Sequence, residues 1–97
     1  MDKLVIDIET KNSFAEVGGE RNLKALDMSV VGVYSYNKNQ YLCFDEHQIS
    51  ELNECLKRAG LIIGFSVNRF DIPVLAKYVS FNLKAIPVLD LLEEVEL

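Results

Sequence analysis

A chain of 97 residues with 49% hydrophobic and 26% charged side chains makes one small domain, able to bury roughly 65% of the surface of its unfolded chain and too short for two cores. That composition is ordinary for a soluble globular protein and excludes a disordered or low-complexity chain. The formal net charge of -5 excludes a broad basic surface of the kind that holds nucleic acid by neutralising phosphates. Any nucleic-acid role must lean on metal ions, since the basic residues nearest a candidate site are only Lys11, Arg21, Lys24 and Arg69.

Residues 3 to 9 read as the first strand. Side chains of a strand alternate between faces, so Val5, Asp7 and Glu9 share one side and Leu4, Ile6 and Ile8 the other. Both faces carry apolar residues, which predicts a central strand covered on both sides, where an unpaired acid would cost several kcal/mol. Two oxygen donors at one strand end, with no Lys or Arg between Lys3 and Lys11, suit a hard divalent cation such as Mg2+ or Mn2+. The other reading is a solvated strand end with ordinary ion-pair partners.

Residues 10 to 27 form a polar connection containing Gly18-Gly19. Loops beyond about 12 to 15 residues are usually functional or disordered, and as a functional one this would fold over a substrate near Glu9. The glycine pair lacks phosphate-loop spacing and reads as a hinge. Residues 28 to 36 and 41 to 44, separated by Asn37-Lys38-Asn39-Gln40, predict a β-hairpin, with Tyr34, Tyr36 and Tyr41 in cross-strand packing. Ile49, Leu52, Cys55, Leu56 and Ala59 recur at helical spacing, and Gly60 stands where a C-cap glycine would end the helix. His47, the only histidine, falls at the surface near that helix start.

Leu61 to Phe65 is a short apolar run that fits a buried parallel strand. Asp71-Ile72-Pro73 reads as an N-cap followed by a first-turn proline, opening a second helix whose packed face is Val74, Leu75, Tyr78 and Val79. A further strand is expected at Ile86 to Leu89, and a last helix capped by Asp90 with Leu91, Leu92 and Val95 on one face. That helix is about two turns long, too short to stand without a partner.

A right-handed crossover places the 61 to 65 strand parallel to the first, with both C-terminal ends at one edge of the sheet. Asp7, Glu9 and Asp71 can then meet there. Three acids could hold two cations about 3.5 to 4 Å apart, an arrangement suited to phosphodiester hydrolysis. For Asp71 alone, capping is a sufficient local explanation.

Asp7-Ile8-Glu9-Thr10 and Asn68-Arg69-Phe70-Asp71 resemble the first and second motifs of the DEDD (DnaQ-like) 3'-5' exonucleases, and the segment Gly64 to Leu75 resembles that family's Asn-x-x-Phe-Asp pattern. The resemblance implies an α/β, ribonuclease H-like fold: a mixed sheet of an antiparallel hairpin and parallel strands, flanked by helices. It implies two Mg2+ or Mn2+ ions held by Asp7, Glu9 and Asp71 as catalytic residues, with Asp7 bridging both, Glu9 on the ion that activates water and Asp71 on the other. Thr10, Asn68 and Phe70 would frame the substrate, which is the 3' end of single-stranded DNA or RNA. The family's third motif, with its fourth acid and a Tyr or His that orients water, does not occur in residues 1–97. The expectation is one exonuclease domain, C-terminally incomplete.

Two functions follow. One is a metal-dependent 3'-5' exonuclease; the other is a non-catalytic module that binds nucleic acid or protein on an incomplete fold. An incomplete sheet would leave a face exposed, so a homodimer through that face or through the C-terminal helix is expected. Cys43 and Cys55 show no CxxC or Cys/His spacing and read as reduced thiols in or near the core. No segment has the pattern of a signal peptide or the length of a membrane span, which predicts a cytoplasmic protein.

Overall fold

The computed structural model of the chain describes residues 1–11 and 27–95. The long connection, with Gly18-Gly19, Arg21 and Lys24, lies outside the described residues. Five strands form one sheet: β1 (Asp2–Thr10), β2 (Met28–Ser35), β3 (Gln40–Asp45), β4 (Ala59–Gly64) and β5 (Val88–Asp90). The spatial order is β3-β2-β1-β4-β5. β1 to β3 run antiparallel as a meander, while β4 pairs parallel with β1 and β5 parallel with β4. This is the mixed α/β sheet expected from the sequence, an antiparallel hairpin joined to parallel strands.

The parallel pairs need crossover connections. The first carries helix α1 (Ile49–Lys57) and the second carries helix α2 (Ile72–Leu75). Leu4, Ile6 and Ile8 of β1, Val31 and Val33 of β2 and Ile62 of β4 form one buried cluster with Leu52, Leu56, Val74 and Leu75 from the two helices. Fully burying an aliphatic side chain contributes about 1.5–3 kcal/mol, so this layer between sheet and helices supplies most of the stability.

The alternate residues of β1 behave differently. Lys3, Asp7 and Glu9 are exposed and Val5 is half-buried. The expected covering of β1 on both faces is therefore corrected: among the described residues only one face of β1 is closed. Cys43 lies exposed on β3, whereas Cys55 of α1 packs partly against the core, and both are free thiols. The tyrosines pack as expected, with the Tyr34 ring 4.8 Å from that of Tyr41 and 5.3 Å from that of Tyr36.

Three boundaries differ from the sequence reading. α1 ends at Lys57, because Ala59 pairs with Asp2 and joins β4; Gly60 is a strand residue there, and no glycine caps the helix. The second helix is a single turn, Ile72–Leu75, with Tyr78 beyond it offering its hydroxyl to the Met28 amide at 3.1 Å. β5 is shifted to Val88–Asp90, followed by α3 (Leu91–Val95), which buries no residue. Asp90 does cap α3 as expected, accepting the Leu92 amide at 3.0 Å.

Two buried polar networks fix the register. Asp2 accepts hydrogen bonds from Ser35 Oγ and from the Asn37 amide, tying the start of β1 to the hairpin turn. Burial alone would raise the Asp2 carboxyl, but those bonds more than offset it and hold it below its ordinary value. Asn53 of α1 donates to Ile49 O and Tyr78 O and accepts from Ser80. Among the described residues no helix is long and apolar enough to cross a membrane.

Candidate metal centre

The parallel pairing of β1 with β4 ends at Val5↔Ile63. β1 runs on for five residues to Thr10, and its Ile8 amide is left without a β4 partner. The Asp71 carboxylate takes that place: its Oδ2 accepts the Ile8 N–H at 3.0 Å. Asp71 is only 4% exposed. Asp7 and Glu9 flank Ile8 in the strand and point to the open face. Two strand ends thus bring the three sequence-predicted acids to one edge of the sheet.

Asp71 does not cap its helix. Its backbone is already helical (φ -62°, ψ -47°), and its side chain makes no capping bond. The residue ends a single π-turn, Val67–Asp71, which runs directly into α2. π-turns are rare and are frequent at functional positions. The local capping explanation for Asp71 is thereby removed, and its carboxylate serves β1 instead.

Burial raises the Asp71 carboxyl, opposed by the Ile8 hydrogen bond, and the neighbouring charges of Asp7 and Asp90 raise it further, to about 7. A buried acid beside other acids is a site of uncompensated negative potential. The all-oxygen donor set of Asp7, Glu9 and Asp71 fits a hard divalent cation in chemistry. Among the described residues, however, no group of three or more His, Cys, Asp or Glu side chains is arranged to hold a metal ion. Asp71 is committed to Ile8, and Asp7 and Glu9 project outward.

The other predicted residues are spread around this edge. Thr10 is half-buried at an irregularity in the β1–β2 register. Asn68 is exposed, and its side chain donates to Glu93 of α3 at 2.6 Å. Phe70 packs partly against the core, so its ring is occupied with packing. Of the basic residues, Lys11 pairs with Glu46 and Arg69 is exposed on the π-turn. His47 is exposed on the surface, as expected.

Two features at this edge go beyond what the sequence shows of them. Phe65 follows β4 directly and is 63% exposed, and strand alternation puts it on the same side as Ile63 and Val5. Asp90 lies buried behind the π-turn. The exposed aromatic has no local signature, and Asp90 shows only its capping role in the sequence.

The turn depends on Gly64. A Cβ at that position would overlap Val67 Cγ1 and come within 3.0 Å of Ile6 O. Gly64→Ala is expected to destabilise the chain by about 1–3 kcal/mol through forced displacement of the turn, measured as a lower urea midpoint. An unchanged midpoint would mean that the turn is not packed against β1 and β4 as described. A groove of about 410 Å³ lies at the opposite end of the sheet between Asp2, Lys38, Cys55 and Arg58, away from the acids.

No protein-family model and no curated protein matches the chain. Among solved structures it is similar to the family B DNA polymerase from the hyperthermophilic archaeon Pyrobaculum calidifontis, with a TM-score of 0.68 and 19% identity. The match covers 99% of this chain and 16% of the polymerase. At that identity the likeness shows the fold.

Proposed function

We propose that this chain provides the metal-binding acids of a 3'-5' exonuclease acting on single-stranded DNA or RNA. The observation that carries the proposal is Asp71, a buried carboxylate of raised pKa, held against the strand end that bears Asp7 and Glu9. A carboxylate fixed there lowers stability at neutral pH, and such local conflicts are expected at functional positions. The fold likeness to a DNA polymerase adds support for nucleic acid as the substrate class.

In this reading Asp7, Glu9 and Asp71 would hold Mg2+ or Mn2+. A bound divalent ion supplies a water nucleophile of lowered pKa and stabilises charge on the phosphoryl oxygens. Asp71 is fixed by the Ile8 amide and sets the inner wall of the site. Asp7 and Glu9, on the open face, approach from the solvent side, where a 3' terminus can enter. Thr10 and Asn68 stand at the rim to frame that terminus, while Phe70 supports the turn from inside. A cytoplasmic location belongs to the same proposal, supported by the two free thiols. So does a homodimer through the open sheet face or α3, supported by Leu91 and Val95 lying exposed.

The experiment is incubation of the 97-residue chain with a 3'-labelled single-stranded oligonucleotide and Mn2+. Release of labelled mononucleotide is the expected result. A folded sample that binds Mn2+ and releases nothing would overturn the catalytic reading for this chain. It would favour the second one, a non-catalytic binding module, for which the specific observation is that no three acids are gathered among the described residues.

A further inference from the structure

Asp90 is the last residue of β5, opposite Gly64 in the parallel pairing, and only 4% of it is exposed. An aspartate this deeply buried must be neutralised or richly hydrogen-bonded. Here the partners are backbone amides. Oδ1 accepts from Ser66 at 2.9 Å and from Leu92 at 3.0 Å, and Oδ2 accepts from Asn68 at 3.0 Å. Ser66 belongs to the connection that leaves β4, and Asn68 to the π-turn itself.

That connection starts from an unfavourable backbone. Ser66 has a left-handed conformation, φ 60° and ψ 28°, which costs a non-glycine residue of order 1 kcal/mol or more. Its amide is held by Asp90, and its carbonyl accepts the Phe70 amide at 3.1 Å. The π-turn closes with the Ile72 amide on Val67 O. Val67 is fully buried against the Gly64 position. Asp71, at the end of this turn, then reaches Ile8. Mechanically the order is Asp90, then Ser66 and Asn68, then the turn, then Asp71, then β1.

We propose that Asp90 is a positioning residue: by gripping the Ser66 and Asn68 amides it sets the π-turn that delivers the Asp71 carboxylate to the end of β1. It does so without a hydrogen bond to Asp71. It is also not the missing fourth acid of the site, because both of its oxygens already accept backbone N–H groups and face the turn. Capping of α3, the role read from the sequence, accounts for its bonds to the Leu92 and Glu93 amides and leaves those to Ser66 and Asn68 unexplained. The part of the proposal that concerns metal rests on the exonuclease reading; the part that concerns the geometry of Asp71 does not.

The test is amide hydrogen exchange on the full chain, followed by NMR, for the wild type and Asp90→Asn. Asparagine keeps the shape but turns one acceptor into a donor facing an N–H. The expected result is a loss of protection of about tenfold or more at Ser66, at Asn68 and also at Ile8, while the β2–β3 ladder is unchanged. Lost protection at Ser66 and Asn68 with Ile8 unchanged would reduce Asp90 to a loop and helix cap and overturn the proposal. Should the variant fail to fold, the wild type decides: the three amides must exchange through one common opening with equal protection, and unequal values would overturn it. If the wild type binds Mn2+, Asp90→Asn is expected to weaken that binding by about 10- to 100-fold, the usual effect of losing the support of a ligand. If the wild type binds no Mn2+, the exonuclease reading fails, and exchange at Ile8 still decides the positioning role.

Discussion

Asp7→Ala is expected to lower Mn2+-dependent release of 3'-terminal nucleotides by about three orders of magnitude or more while leaving the fold intact. Asp7 is exposed on the open face of β1, and surface substitutions away from special features typically shift stability by no more than about 0.5 kcal/mol. The side chain is not used by the core or by any buried hydrogen-bond network described above. Its loss removes a proposed ligand of the cation, whose charge stabilisation is worth several kcal/mol. At 1.36 kcal/mol per tenfold, about 4 kcal/mol corresponds to roughly a thousandfold. Rates measured beside melting curves separate the two effects. A variant with near-normal release would remove Asp7 from the chemistry.

Asp71→Asn is expected to raise stability in EDTA at pH 8 while abolishing release. In the folded chain the Asp71 carboxyl is raised to about 7 from an ordinary 3.8, first by burial and then by the charges of Asp7 and Asp90, against the Ile8 hydrogen bond. The native state therefore binds more protons than the unfolded state between about pH 4 and 7, and stability falls as pH rises through that window. Above pH 7 the loss is complete. The interval between the two values, at 1.36 kcal/mol per pH unit, corresponds to a loss on the order of 4 kcal/mol. Asparagine has the same shape, carries no charge, and still offers an oxygen to the Ile8 N–H. Urea unfolding at pH 5 and pH 8 should show the wild type weakening between the two while the variant does not. A variant weaker than wild type at pH 8 would mean that the carboxylate is net stabilising, and the argument for a functional conflict at Asp71 would fall.

Much of this arrangement was legible in the sequence because it is written in local periodicity. The alternation around Ile6, the β-branched runs of the hairpin and the 3.6-residue spacing from Ile49 to Leu56 each predict the element found. The pairing of Asp7 with Glu9 on one strand face follows from the same alternation. What failed needed tertiary information. Ala59 and Gly60 extend the helical pattern, but parallel pairing with Asp2 draws Ala59 into β4. The desolvation that strand alternation predicts for Asp7 and Glu9, which are exposed, falls instead on Asp71, which is buried. An aspartate followed by Ile-Pro looks like a cap, and only the π-turn turns its carboxylate toward β1. Asp90 accepts from two amides more than 20 residues away, Ser66 and Asn68, and no pattern of spacing could have announced them.

The central claim is that the acids at the end of β1 bind a divalent cation, and Mn2+ binding followed by electron paramagnetic resonance tests it most directly. The account predicts saturable binding to the folded wild type at pH 8, weakened at pH 5 where Asp71 is protonated, and lost in both Asp7→Asn and Asp71→Asn. Absence of binding by the folded wild type at millimolar Mn2+, or binding that survives both substitutions, would contradict it.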